Sequence, residues 1–292
     1  MTFVATLIAH PDDKHLSGGI AADIAHALGG EHFEWLAGGI AADIPLATEP
    51  DDFEDAWELA QSNRADLVIQ PATGRRKKVL LADMDSTMIE QECIDELADM
   101  AGVGERVVEI TARAMNGELD FEDALRERVG LLKGLDADVI QQVLAERITF
   151  TSGGRELLAT MRANGGYAAL VSGGFTDFTS AVAEKLGFDE NRANTLIQKD
   201  GKLTGETGMP ILGREAKVDA LNDITKRLGL TPDDVIAVGD GANDLGMLKL
   251  AGRGVALHAK PAVAAQCNTR LNFADLTGLL YVQGYSRAMF AE

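Results

Sequence analysis

Cysteine is nearly absent from this chain. Cys93 and Cys267 stand far apart, with no Cys-x-x-Cys pair and no Cys/His spacing, so neither a disulfide framework nor a thiolate zinc site is indicated. Both are expected as reduced, buried thiols. Long apolar runs are missing too: no stretch approaches the about 18 residues of a membrane span. The opening "MTFVATLIAHPDD" lacks the basic segment and cleavage site of a signal peptide, and a soluble cytoplasmic protein is expected. Cations are in short supply as well. With 27 Lys and Arg against 46 Asp and Glu, the net charge of −19 argues against nucleic acid or an anionic membrane as partner. A small anionic ligand stays open, provided that its site supplies cations or a metal.

What is present suggests about two domains: 292 residues with 46% hydrophobic and 25% charged side chains make a globular chain with material for a sizeable core. In residues 1–72, "FVATLIA" reads as a strand, "SGGIAADIAHAL" as a helix opened by Ser17, and "FEWLAGG" and "IAADIPLA" as strands. "DDFEDAWELAQSN" then reads as a helix and "ADLVIQP" as a strand, giving βαββαβ. The string GGIAADI occurs twice, at Gly18–Ile24 in the helix and at Gly38–Ile44 in a strand; two copies in different settings read as coincidence and not as a structural repeat. The basic run "GRRKK" within residues 73–78 reads as a solvated linker.

Residues 79–292 change texture. "VLLADMD", "YAALVSGG" and "DVIAVGDG" are apolar runs ending in small or acidic residues, as buried parallel strands feeding loops do. Between the first two, about residues 91–147 are almost purely helical, too long for a plain crossover, and read as an inserted cap. A β-hairpin insert is expected at about 195–207, around "KDGK".

The carboxyl ends of strands in an open parallel sheet form its ligand crevice. Asp83 and Asp85, Ser172 with Gly173 and Gly174, and Asp240 with Asn243 and Asp244 should therefore converge. Two carboxylates about 4 Å apart repel by about 4 kcal/mol at an effective dielectric of 20, and a divalent cation reverses the sign. Oxygen ligands without His or Cys favour Mg²⁺ with a substrate phosphate beside it. A carboxylate there can attack phosphorus, with Asp85 as general acid/base, Ser172 and the Gly173 N–H on phosphoryl oxygens, and Lys217 as the fixed cation.

At these residues the chain resembles a known family. DxDxT at Asp83–Thr87, SGG at Ser172–Gly174, a lysine on a following helix and GDGAND at Gly239–Asp244 are similar to the four motifs of the haloacid-dehalogenase-like hydrolases. "DMDSTMIEQECIDELA", "ITARAMNGELDFEDALRERVGLLKGL" and "KDGKLTGE" narrow the resemblance to that family's phosphoserine-hydrolysing branch, over about residues 79–280. It implies an α/β fold: a Rossmann-like parallel-sheet core with an inserted helical cap, beside a small N-terminal α+β unit similar to the ACT-like domains that bind amino acids. It also implies Mg²⁺ on Asp83, the Asp85 carbonyl and Asp240, supported by Asn243 and Asp244, with Thr87 as part of the first motif. The substrate would be O-phospho-L-serine, in the last step of serine biosynthesis. In the cap, Glu92 would face the ammonium, Arg128 the carboxylate, and Met115 and Phe121 would close over both. A zwitterion needs one acid and one bidentate cation, which fits.

Three rival readings stand beside this one. "IAHPDDKH" is similar to the zinc-binding opening of certain deacetylases, but Lys14 stands where that pattern carries Glu. A related phosphatase, or a phosphotransferase using an alcohol such as homoserine, shares the same attack position. A non-enzymatic amino-acid sensor is countered by the intact acidic motifs. For residues 1–72, homodimerisation and an amino-acid effector are both expectations.

Overall fold

The computed structural model describes residues 2–50, 53–115 and 118–291. The N-terminal part runs β1 (Phe3–Ala9), α1 (Gly18–Ala27), β2 (Glu34–Ala37), β3 (Ala41–Leu46), α2 (Phe53–Ser62), β4 (Ala65–Pro71), in the expected order. Its four strands are antiparallel in the order β2-β3-β1-β4. Ser17 caps α1, its hydroxyl accepting the Ile20 N–H at 3.2 Å. The two GGIAADI copies differ as expected: the first opens α1, and the second is a turn leading into β3.

Strand alternation gives this sheet two buried faces. Ala5, Leu7 and Ala9 of β1 pack with Ile24 of α1 and Ala56 and Ala60 of α2, while Ile8 of β1 and Val68 of β4 join the core of the larger body. Polar ties accompany that contact. Asp66 in β4 accepts backbone N–H groups from Asn272, Phe273 and Ala274 at 2.7, 3.1 and 2.8 Å. Gln70 donates to the Val282 carbonyl at 2.6 Å.

Residues 73, 74, 76 and 78 are exposed, and the expectation of a solvated basic linker is corrected at Arg75 by the same junction. Arg75 forms a bidentate pair with Asp43 of β3 at 2.6 and 3.0 Å and donates to Thr6 Oγ1 and to the Tyr281 and Val282 carbonyls. Arg76 lies over the Tyr285 ring, and Lys77 donates to the Asp233 carbonyl. The reason is geometric. A guanidinium carries five donors in a fixed fork, enough to satisfy side chains and carbonyls from both bodies at once.

The larger body starts with β5 (Val79–Ala82), followed by α3 (Cys93–Met100), α4 (Gly104–Met115), α5 (Phe121–Gly130), α6 (Val139–Glu146) and α7 (Gly154–Ala163). Then come β6 (Tyr167–Phe175), α8 (Thr176–Leu186), β7 (Glu190–Asn194), the hairpin β8 (Leu196–Lys199) and β9 (Lys202–Thr207), and α9 (Arg214–Leu228). The chain ends through β10 (Val235–Gly239), α10 (Leu245–Leu250), β11 (Arg253–Leu257), α11 (Pro261–Ala264), β12 (Thr269–Leu271) and α12 (Gly278–Val282).

Six strands form one parallel sheet, β12-β11-β10-β5-β6-β7. From β5 the chain first builds outward through β6 to β7, then returns to the other side of β5 for β10, β11 and β12. The switch point therefore falls between β5 and β10, where a parallel α/β sheet opens its crevice.

Helices α3 to α6 form the cap. A narrow neck joins it to the sheet: Ile89 bridges Phe150, the Glu90 N–H donates to the Thr149 carbonyl, and the Thr151 N–H to the Met88 carbonyl. The hairpin turns through Asp200 and Gly201, at φ 52° and 74°, both in the left-handed region that a tight two-residue turn requires. It is fastened to the cap by Lys202, which reaches Asp136 at 2.9 Å. Among the described residues no helix is long and apolar enough to cross a membrane.

Candidate active site

The β5–β10 register pairs Ala82 with Val238, and the Asp83 N–H closes the ladder on the Val238 carbonyl at 3.0 Å. Asp83 and Asp240 thus leave adjacent strands side by side. Asp83 Oδ1 accepts from Lys217 Nζ at 2.8 Å and from the Met84 N–H at 2.8 Å. Its Oδ2 accepts from no protein donor among the described residues, leaving one carboxylate oxygen fixed and one free.

Lys217, in the first turn of α9, is 2% exposed and also donates to Asp244. Burial works against its charge, but Asp83 and Asp244 outweigh it and push the ammonium above its ordinary range. The other Asp244 oxygen accepts the Gly241 N–H at 2.9 Å. Gly239 makes this approach possible, since a Cβ there would lie 2.3 Å from the Asp244 carboxyl carbon.

Acids outnumber cations at this point. Burial, then the charge of Asp83, raises Asp240 to about 6, and the same two causes push Asp244 up. Oxygens of Asp83, Asp240 and Asp244, all buried, lie within 4.8 Å of one another. Three buried carboxylates with only Lys217 between two of them fit a hard divalent cation, for which oxygen ligands suit Mg²⁺ and not Zn²⁺. The cluster contains Asp244, placed in a supporting position by the sequence. The carboxylate of Asp85 is not in it. Thr87 is buried beside the cluster, its hydroxyl donating to Asp240 at 3.4 Å; Asn243 is half-buried on the same loop as Asp244.

Asp85 faces the other way. It accepts the Cys93 N–H at 2.9 Å and the Ser172 hydroxyl at 3.2 Å. Burial first, and then the charge of Glu92, raises its pKa above the usual carboxylate range. Ser86 between the two halves of the motif has φ 54°, an uncommon conformation for a residue with a side chain. Its N–H donates to the Gln91 carbonyl and its hydroxyl to Glu92 at 2.8 Å. A tight loop thereby brings Glu92, at the start of α3, back over Asp85.

The SGG segment lies opposite, at the end of β6. The Gly174 N–H donates to Ser172 Oγ at 2.8 Å, and a Cβ on Gly174 would come within 2.7 Å of Asp85 Oδ2. Phe121, first residue of α5, rests on this floor: a Cβ on Gly173 or Gly213 would lie 3.2 and 3.3 Å from its ring. Arg128, half-buried on α5, sits in the field of Asp95, Glu92 and Asp85, while burial lowers its pKa. Met115 ends α4, and its side chain lies outside the described part of the structure. The structure thus gathers Asp83, Asp85, Lys217, Asp240, Asp244, Ser172 and Gly173 around one crevice, with Glu92, Phe121 and Arg128 above it.

Two contributors escaped the sequence reading. Asn194, 2% exposed at the end of β7, donates to the Gly173 carbonyl at 2.9 Å and accepts the Leu212 N–H at 2.7 Å. It ties the SGG floor to the segment leading into Lys217. The Cys93 N–H orients Asp85. Neither carries a motif: one acts through a contact 21 residues away, the other through its backbone.

Residues 80–249 match the family model described as haloacid dehalogenase-like hydrolase. A phosphoserine phosphatase of Streptomyces coelicolor is 44% identical over 97% of this chain and 71% of its own length. One of Archaeoglobus fulgidus is 42% identical over 74% of this chain and 63% of its own. The chain therefore spans somewhat less than two thirds to about 70% of these relatives. An unliganded structure of a probable phosphoserine phosphatase of Vibrio cholerae superposes with a TM-score of 0.82 at 32% identity, covering 99% of this chain and 88% of the other.

Proposed function

Because the chain belongs to the haloacid dehalogenase-like hydrolase family, we propose that it is a phosphoserine phosphatase, converting O-phospho-L-serine and water to L-serine and phosphate through an aspartyl-phosphate on Asp83. The observation that carries this reading is the state of Asp83: Lys217 and the Met84 N–H hold Oδ1, so that Oδ2 is the oxygen left to attack phosphorus. The attack forms the Asp83 Oδ2–P bond and breaks the bond to the serine oxygen. Asp85, with its raised pKa, gives its proton to that leaving oxygen. In the second half Asp85 takes a proton from water, the water oxygen bonds to phosphorus, and the Asp83–P bond breaks.

Mg²⁺ would be held by Asp83, Asp240 and the Asp85 carbonyl, with Asp244 in support, and would supply Lewis-acid stabilisation of the phosphoryl charge. Lys217 adds a fixed cation that needs no reorganisation during the transfer. Ser172 and the Gly173 N–H sit where the phosphoryl oxygens arrive. The cap selects the substrate: Arg128 pairs with the carboxylate, Glu92 with the ammonium, and Met115 with Phe121 covers the apolar part. The neck at residues 88–91 and 149–151 is the place where the cap opens and closes. Residues 1–72 are a distinct ACT-like unit in this reading, joined through 73–78 to the catalytic part, 79–292.

Phosphate release is the test. O-phospho-L-serine with Mg²⁺ should give rapid release, far above that from other small phosphate esters, and chelator should abolish it. Equal rates across the panel would remove the substrate, and turnover unaffected by chelator would remove the metal. Adding homoserine and finding no O-phosphohomoserine assigns water as the acceptor.

A further inference from the structure

The crevice is short of uncommitted cations. Asp83, Asp240 and Asp244 cluster in it, and Asp85 lies under Glu92, whereas Lys217 is already shared between Asp83 and Asp244. Arg128 in the cap is assigned to the substrate carboxylate. O-phospho-L-serine brings a net charge of about −2 at pH 7 to a chain whose own net charge is −19. Such a surface repels the substrate unless the rim of the crevice answers its charge.

One lysine stands at that rim. β10 and β11 run parallel with Gly239 opposite Ala256, so both strands end at the same level, Asp240 following the first and His258 the second. His258, at φ 45°, turns the chain there and is pinned by two bonds: its N–H donates to the Leu271 carbonyl at 2.8 Å and its Nε2–H to the Ala274 carbonyl at 2.9 Å. Lys260 comes two residues later, exposed at the start of α11, and its carbonyl accepts the Ala264 N–H at 3.0 Å. The backbone is thus fixed, while among the described residues the Lys260 ammonium has no carboxylate partner. It is also close to the acidic cluster. Burial and the charges of Asp83 and Glu92 raise the Asp240 carboxyl, and of the two cations that draw it back down, Lys260 acts ahead of Lys217.

We propose that Lys260 is a specificity-determining cation at the crevice rim, which draws in the phosphoryl dianion and holds it on entry until Lys217 takes over. The inference deepens the reading of the crevice given above and rests on it. A flexible ammonium on a fixed backbone suits the task, because a compact point charge follows an arriving anion without demanding one geometry. Lys217 contacts Asp83 and so acts on the reacting group; Lys260 contacts neither Asp83 nor Asp85 and acts on approach and binding.

Steady-state phosphate release by the full chain at saturating Mg²⁺ tests this, comparing wild type with Lys260→Gln, Lys260→Glu and Lys260→Arg at ionic strengths of about 0.02 and 0.5 M. At the lower value, kcat/KM for O-phospho-L-serine should fall about fivefold in Lys260→Gln and further in Lys260→Glu, with kcat within about twofold of wild type and Lys260→Arg restoring the rate. At the higher value the loss in Lys260→Gln should shrink to below about twofold, because salt screens an exposed charge. Calorimetric titration with inorganic phosphate and Mg²⁺ gives a readout independent of turnover, and at low ionic strength its Kd should rise in Lys260→Gln by a similar factor. Equal kcat/KM in wild type and Lys260→Gln overturns the proposal. So does a loss that salt leaves unchanged or that Lys260→Arg fails to restore, since that is the mark of a structural role. Wild type that neither hydrolyses O-phospho-L-serine nor binds phosphate removes the reading of the crevice, and this inference with it. Wild type that hydrolyses only a different ester removes the substrate alone, and a salt-sensitive loss of phosphate affinity in Lys260→Gln then still supports Lys260.

Discussion

Two regions of this molecule bury charge, and they do it in opposite ways. At the junction between the two sheets, charges are answered by partners: Asp66 by three backbone N–H groups, Arg75 by a bidentate carboxylate and two carbonyls. At the crevice, Asp83 and Asp244 share Lys217 while Asp240 lies within 4.8 Å of both without an ion pair among the described residues, and Asp85 lies beside Glu92. Satisfied buried charge fixes a geometry. Unsatisfied buried charge is held ready for something that arrives, here a cation and a phosphoryl group. The cost of that readiness falls on the fold, and the well-satisfied junction is one of the places that offsets it.

The comparison breaks most visibly at Asp83. Asp83→Asn should lower turnover by on the order of 10⁴-fold or more, since an amide oxygen cannot form the covalent intermediate, while circular dichroism and melting temperature stay near wild type. Activity close to wild type would remove the covalent route. At the junction the pattern inverts. Arg75→Ala leaves Asp43 buried without its partner and should cost about 3–5 kcal/mol in denaturant unfolding, with kcat per folded molecule hardly changed. A loss below about 1 kcal/mol would mean that the junction is not the fastening described.

Asp66 sharpens the contrast through pH. Burial lifts its carboxyl to about 6 from 3.8, against the pull of three N–H donors. The native state then holds the proton more tightly than the unfolded chain. The associated stability is present in full below about 3.8 and is lost as pH rises through about 6. Between pH 4.5 and 7 the stability difference between wild type and Asp66→Asn should change by about 2 kcal/mol, wild type gaining on the acid side. A difference independent of pH would contradict this. The smallest expected effect lies in the cap. Arg128→Ala should reduce kcat/KM for O-phospho-L-serine about tenfold more than for an aryl phosphate, which has no carboxylate to lose. Equal losses on both substrates would return Arg128 to a structural role.

Local chemistry was legible wherever it was written in consecutive residues. DxDxT at Asp83–Thr87 and GDGAND at Gly239–Asp244 combine an apolar strand with the loop that follows it, and SGG at Ser172–Gly174 closes the end of β6, so strand end and reactive group come from one short segment. The basic run misled because composition reports charge and not partners. "GRRKK" looks solvated until Asp43, Thr6 and the carbonyls of residues 281 and 282 are brought to Arg75. Asn194 was invisible for a similar reason: an Asn at a strand end is ordinary until Gly173 and Leu212 flank it.

The amino-acid sequence by itself determined the order of elements, the parallel core with its cap and hairpin, and the set of acids at the strand ends, because periodicity, turn residues and motif spacing act over a few neighbouring positions. Only the tertiary structure decided which acids share one point and how Asp83 is left with one oxygen held and one free. It also decided that a linker arginine and a strand aspartate fasten two sheets together. Those outcomes depend on strand order and on contacts between residues as much as 208 positions apart, and burial gives such contacts their strength while no local pattern encodes them.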